Sequence, residues 1–128
     1  MSSVGIKRQY FRYTIWFEST NGGAQNVAEL CREIGEVTWS HPSPGVHDCL
    51  ATNPSAFLYF QSVWSPYGRN MIYPVHDDLN VLQGYFKIDH LGDDEFQILT
   101  YDTLMAAADI DMDIKVECQV WLFVPVPC

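Results

Sequence analysis

The sequence predicts an all-β fold, an antiparallel β-sandwich with one short helix near residues 24–34, and three observations carry that expectation. From Asp109 to Val124 the residues Ile110, Met112, Ile114, Val116, Cys118, Val120, Leu122 and Val124 make an unbroken apolar row at every second position. Asp109, Asp111, Asp113, Lys115, Glu117 and Gln119 fill the alternate places, and period two is the spacing of a strand with one face covered. The segment from Tyr10 to Ser19 alternates in the same way, Phe11, Tyr13, Ile15 and Phe17 against Arg12, Thr14, Trp16 and Glu18. Turn-forming clusters then separate the apolar runs: Thr20-Asn21-Gly22-Gly23, Ser65-Pro66-Tyr67-Gly68 and Gly92-Asp93-Asp94-Glu95.

Along the chain, Ala24 to Ile34 changes period. Val27, Leu30, Cys31 and Ile34 recur at helical spacing with Gly35 placed as a C-terminal stop, so this is the expected helix, its stripe covering one end of a sheet. Glu36 to His41 reads as a short strand around Val37 and Trp39, and His41 through Pro54 reads as a proline-rich loop. Ser55 to Trp64 is a continuous aromatic and apolar run, as expected of a strand covered on both faces. A second loop from Arg69 to Leu82 precedes the strand Gly84 to Leu91, and Phe96 to Tyr101 pairs back across the acidic turn. Tyr101 to Ala108 reads as strand or helical turn. The last strand, at ~3.3 Å per residue, would run about 50 Å, so a bulge or bend is expected within it, with Pro125 and Pro127 ending its ladder.

The 128 residues, 48% apolar and 14% aromatic, suit one domain with a real core. A formal charge of −9 repels phosphate backbones and anionic lipid, so direct nucleic-acid binding and membrane partners are not expected. No stretch approaches a membrane span and Met1 is not followed by an apolar leader, which makes the cytoplasm the expected location. Cys31, Cys49, Cys118 and Cys128 lack CxxC spacing and are expected to be idle or buried thiols.

Candidate chemistry is sparse. His41, His47 and Cys49, with Asp48, bring zinc-type donors into nine residues, but the spacing matches no standard pattern and an ordinary loop is the favoured reading. His76-Asp77-Asp78 and Asp89-His90 are read as solvated turns rather than a hydrolytic pair or Ca²⁺ site. Asp109, Asp111 and Asp113 form a ladder of like charge that suits a solvated face. Ser62, Ser65 and the cysteines are the available nucleophiles, yet no G-x-S-x-G, HExxH, P-loop or GxGxxG accompanies them. No enzyme activity and no cofactor are expected.

The aromatic strand FLYFQSVWSPYG, the loop ending in LNVLQGYFKIDHL, the acidic turn and the final strand DIDMDIKVECQVWLFVPV together resemble the C-terminal half of a picornavirus-like capsid jelly roll. The resemblance places Ser65, Pro66 and Tyr67 at the turn, Gly84 to Leu91 in the penultimate long strand and Ile110 to Val126 in the last. It implies a trimmed jelly roll, shorter than family members and without their basic arm. It also implies a small structural component of a picorna-like virus capsid, located in the virion or host cytoplasm, whose partners are other capsid subunits or copies of itself. Aromatic side chains would fill the contacts, with Trp16, Trp39, Tyr67, Tyr73 and Phe123 as interface candidates and Trp64 and Trp121 as core. The alternative is a soluble cytosolic β-sandwich binding module that grips a protein or small ligand with loops 42–54 and 69–80.

Overall fold

A computed structural model of the chain describes residues 4–53, 60–64 and 71–127. The final strand does organise the fold. Strand β9, Met112–Pro127, pairs antiparallel with β1, Val4–Ser19, in one unbroken register from Ser19↔Met112 to Val4↔Pro127. The expected bulge is absent from this ladder, and the irregularities fall on its neighbours. β2, Gln25–Arg32, slips against β1 at Thr14/Ile15, and β5, Phe60–Trp64, slips against β9 at Phe60/Ser62. Nor do Pro125 and Pro127 stop the strand, since they pair opposite Ile6 and Val4. Two prolines two residues apart lack their N–H groups on the same side, so the other side of β9 can still carry a ladder.

The second sheet contains β3 (Val37–Ser43), β4 (Val46–Ala51), β6 (Tyr73–His76), β7 (Leu82–Gly92) and β8 (Glu95–Tyr101). The first runs β2-β1-β9-β5 and the second β3-β4-β8-β7-β6, every pairing antiparallel. The architecture is that of an all-β sandwich.

No helix occurs among the described residues, and the expected one over 24–34 is strand β2. Val27 lies opposite Phe17 while Cys31 lies opposite Thr14, because the extra residue Leu30 bulges and switches the faces between them. A stripe that looks helical in sequence is thus a bulged strand seen end to end. Eleven residues containing Asn26, Val27 and Cys31 nucleate a helix poorly, and the open edge of β1 offers a full ladder instead. The expected loop over 42–54 is also corrected, since β3 and β4 form a hairpin through residue 51, and the loop over 69–80 contains β6. Proline density hid both. Tyr101 to Ala108 is a turn with one bridge, Tyr101↔Ala107.

Among the described residues an apolar cluster lies between the sheets. Tyr13, Ile15 and Phe17 of β1 and Ile114, Val116 and Cys118 of β9 meet Phe86, Ile88, Phe96 and Ile98 of the opposite sheet. The alternation read in both long strands is therefore the inward face. Aromatic contacts cross the gap: Phe17 sits 6.1 Å from Trp39 and edge-on to His47 at 4.8 Å. The Trp39 Nε1–H donates to the Tyr13 hydroxyl at 2.8 Å, which satisfies two polar groups inside the cluster.

Candidate metal centre

At one end of the sandwich the apolar filling gives way to a polar group of side chains drawn from distant segments. His41 comes from β3, His47 from β4 and Asp109 from the segment that leads into β9. Their ligating atoms all lie within 4.8 Å of one another. His47 is fully buried, while the side chains of His41 and Asp109 keep 20% and 12% of their exposure.

The local chain geometry explains the convergence. The β3–β4 hairpin reverses through Pro44 and Gly45, and Gly45 takes φ +78°. A Cβ there would stand 2.5 Å from the Thr100 carbonyl oxygen and 2.7 Å from the Ala108 nitrogen, so only glycine fits. This close approach lets the Gly45 N–H donate to Asp109 Oδ1 at 2.9 Å and its carbonyl accept from Thr100 N–H at 2.8 Å. The Thr100 hydroxyl donates to the Ala108 carbonyl at 2.6 Å, fixing the chain just before Asp109.

The ring nitrogens have assigned roles. His41 Nδ1 lies 2.8 Å from the Val46 carbonyl, which can only accept, so Nδ1 carries the hydrogen. His47 Nδ1 lies 2.6 Å from Gln25 Oε1 of β2 and donates in the same way. Both Nε2 atoms therefore face Asp109 Oδ1, His41 at 3.0 Å and His47 at 3.8 Å. The rings stack with centroids 4.4 Å apart and planes at 23°. His47 Nε2 is buried with no hydrogen-bond partner. Burial, and then the neighbouring His41, push the His47 pKa down to about 4 against the opposing pull of Asp109, so its imidazole is neutral near pH 7. Neutral imidazole nitrogen and carboxylate oxygen are the donors that hold a transition-metal ion.

The sequence brought His41 and His47 forward with Cys49, and the structure keeps the two histidines but not the cysteine. Cys49 points to the apolar centre, where burial pushes its thiol pKa up, as it does for Cys118. The third donor is Asp109 instead. Asp109 was expected in a ladder with Asp111 and Asp113, but β9 starts only at Met112 and Asp109 turns inward ahead of it. Asp111 accepts from the Asn21 N–H at 2.9 Å, and Asp113 is exposed opposite Glu18.

The remaining candidates disperse. Asp77 Oδ1 accepts the N–H groups of Leu79 and Val81, both at 2.9 Å, and so builds its own turn beside exposed His76 and Asp78. Asp89 and His90 are consecutive in β7 and project to opposite faces. The strand pairing places Ser62 opposite Gln119, and Ser65 lies outside the described residues.

Among the interface candidates, Trp39 and Tyr73 pack against the core, Tyr73 stacking on Phe86 at 5.5 Å. Trp16 stays 37% exposed and donates to Glu18. Tyr67 and the side chains of Phe123, Trp64 and Trp121 lie outside the described residues. Sequence reading missed a group of exposed aliphatic residues around β6: Met71, Ile72, Leu79 and Val81.

Compared with family models, curated proteins and solved structures, the chain matches none of them. Among the described residues no helix is long and apolar enough to cross a membrane, a statement that leaves β-barrels aside.

Proposed function

We propose that this chain is a structural subunit, a small jelly-roll-like component of a picorna-like virus capsid that works by packing against neighbouring subunits. The observation that carries the reading is the pairing of the first and last long strands side by side along Val4–Ser19 and Met112–Pro127. A last strand that returns to lie beside the first is a feature that double-sheet jelly rolls share, and it supports the reading. The resemblance of the C-terminal half to capsid jelly rolls points the same way.

The exposed residues supply a contact surface. β6 is an edge strand of the five-stranded sheet, and Met71, Ile72, Leu79 and Val81 surround it, Leu79 with 84% of its surface exposed. Pro74 within β6 discourages a neighbouring strand from extending the ladder, so the contact made here is between side chains. Sedimentation velocity on the purified chain and on a Leu79→Ser, Val81→Ser double variant tests the reading. Defined oligomers that weaken in the variant are the expected result. A wild-type chain that sediments as a monomer at every concentration, and with no sister chain co-purifying, contradicts it and favours the binding-module alternative.

A further inference from the structure

We propose that His41, His47 and Asp109 bind one divalent ion of zinc type, and that the ion fastens the β3–β4 hairpin to the segment that leads into β9. The proposal does not depend on the assembly reading, because the three donors belong to one chain.

His41 Nε2 and Asp109 Oδ1 stand 3.0 Å apart. His41 Nδ1 already gives its hydrogen to Val46, so a neutral ring would set a lone pair against a carboxylate oxygen. Something positive belongs between them, either a proton on Nε2 or a metal ion. A proton accounts for His41 alone. It leaves His47 Nε2 fully buried, without a hydrogen-bond partner and 3.8 Å from the same carboxylate oxygen, which is a costly arrangement for a polar atom. A metal ion satisfies all three atoms at once.

The spacing agrees with that occupant. Zinc bonds of about 2.0 to 2.1 Å in tetrahedral geometry place neighbouring ligand atoms about 3.3 Å apart. The two separations to Asp109, 3.0 and 3.8 Å, bracket this value, and with all three atoms within 4.8 Å of one another a small closing of the two rings brings the set to bonding distance. The supporting contacts are those that ligating residues require. Each ring offers its outer N–H to an oxygen, Val46 for His41 and Gln25 for His47, which leaves both Nε2 lone pairs unused by those bonds and within 3.8 Å of Asp109 Oδ1. Asp109 Oδ1 is oriented by the Gly45 N–H. Two imidazoles and one carboxylate select a transition ion over Mg²⁺ or Ca²⁺, which prefer shells of oxygen. Three protein donors leave a fourth position for water on the side where His41 and Asp109 remain partly exposed.

The test uses the full chain, stripped with a chelator, dialysed, and titrated with Co²⁺ and then Zn²⁺. The expected result is a visible absorption spectrum of tetrahedral intensity that saturates at one Co²⁺ per chain and is displaced by Zn²⁺. Gln25→Leu, which releases the outer nitrogen of His47, is expected to weaken binding about 10- to 100-fold, and His41→Gln and Asp109→Asn more than that. Because the primary readout is the unmodified protein, loss of folding in a variant does not obscure the answer. A folded wild-type chain with no Co²⁺ spectrum and no retained Zn²⁺ overturns the proposal in favour of a proton shared between His41 and Asp109. Binding that survives unchanged in folded His41→Gln and Asp109→Asn places the ion elsewhere and overturns it equally.

Discussion

The middle of the sandwich and its polar end solve the same problem by different means. In the middle, Tyr13, Ile15 and Phe17 face Phe96 and Ile98 across the gap, and stability comes from apolar area withdrawn from water. At the end, His47 is equally buried, but its position depends on directed contacts with Gln25, Asp109 and the stacked His41. Burial in the middle is tolerant of shape and intolerant of lost volume. Burial at the end is intolerant of displaced atoms, since the Gly45 backbone has no room to move between Thr100 and Ala108.

The largest expected effect tests the middle. Ile98→Ala, which empties a fully buried site, should lower the unfolding free energy by about 2 to 5 kcal/mol in urea titrations. A loss below 1 kcal/mol would mean that this face is not the packed core. The polar end is tested next by Gly45→Ala against Gly35→Ala. Both glycines have positive φ, +78° and +87°, but only Gly45 is crowded, whereas nothing lies within 4 Å of a Cβ at Gly35. Backbone strain alone costs about 1 to 2 kcal/mol, so Gly35→Ala should show that much and Gly45→Ala clearly more. Equal losses would remove the close approach on which the position of Asp109 depends.

A pH titration of the chelator-treated protein distinguishes the two regions again, because burial pushes Tyr13, Cys49 and Cys118 of the middle away from neutrality, upward. His47 has a folded pKa near 4 against 6.5 when unfolded, so between these values the unfolded chain binds more protons. The His47 contribution to stability should therefore rise from pH 4 to pH 6.5, by roughly 3 kcal/mol, and level off above. In a Glu95→Gln background, which removes the opposing carboxyl contribution over the same range, a flat profile would show that His47 is not held neutral by burial.

The smallest effect concerns Glu95, whose hydrogen bond to Asp48 pushes its pKa up to about 7. A raised carboxyl pKa works in the opposite direction, since the folded chain keeps a proton that the unfolded chain has lost. Its contribution is lost as pH rises from 4.5 to about 7. Glu95→Gln should remove that loss and leave the variant slightly more stable than wild type above pH 7, as read by thermal melts at several pH values.

The same contrast explains what could be read in the sequence. Alternation is a local signal, so the inward faces of β1 and β9 were visible residue by residue, from Phe11 to Phe17 and from Ile110 to Cys118. The strands β2 and β4 were not, because Leu30 breaks the period of one and prolines flank the other. The polar end was half visible. His41 and His47 stand close together in the chain, but Asp109 reaches them only through Gly45, 64 residues away, and Gln25 approaches from the other sheet. A contact made by folding carries no periodic trace, and the nearer Asp48 and Cys49 were the substitutes that proximity could offer.

Amide hydrogen exchange resolved by residue, with the chain free of metal and then in one equivalent of Zn²⁺, tests the division between the two regions most directly. The account predicts slower exchange at Thr100 and Ala108, whose N–H groups bond across the polar end, with Tyr13, Ile15 and Phe17 in the middle gaining no more than these. Protection gained in neither region, or in the middle alone, would contradict it.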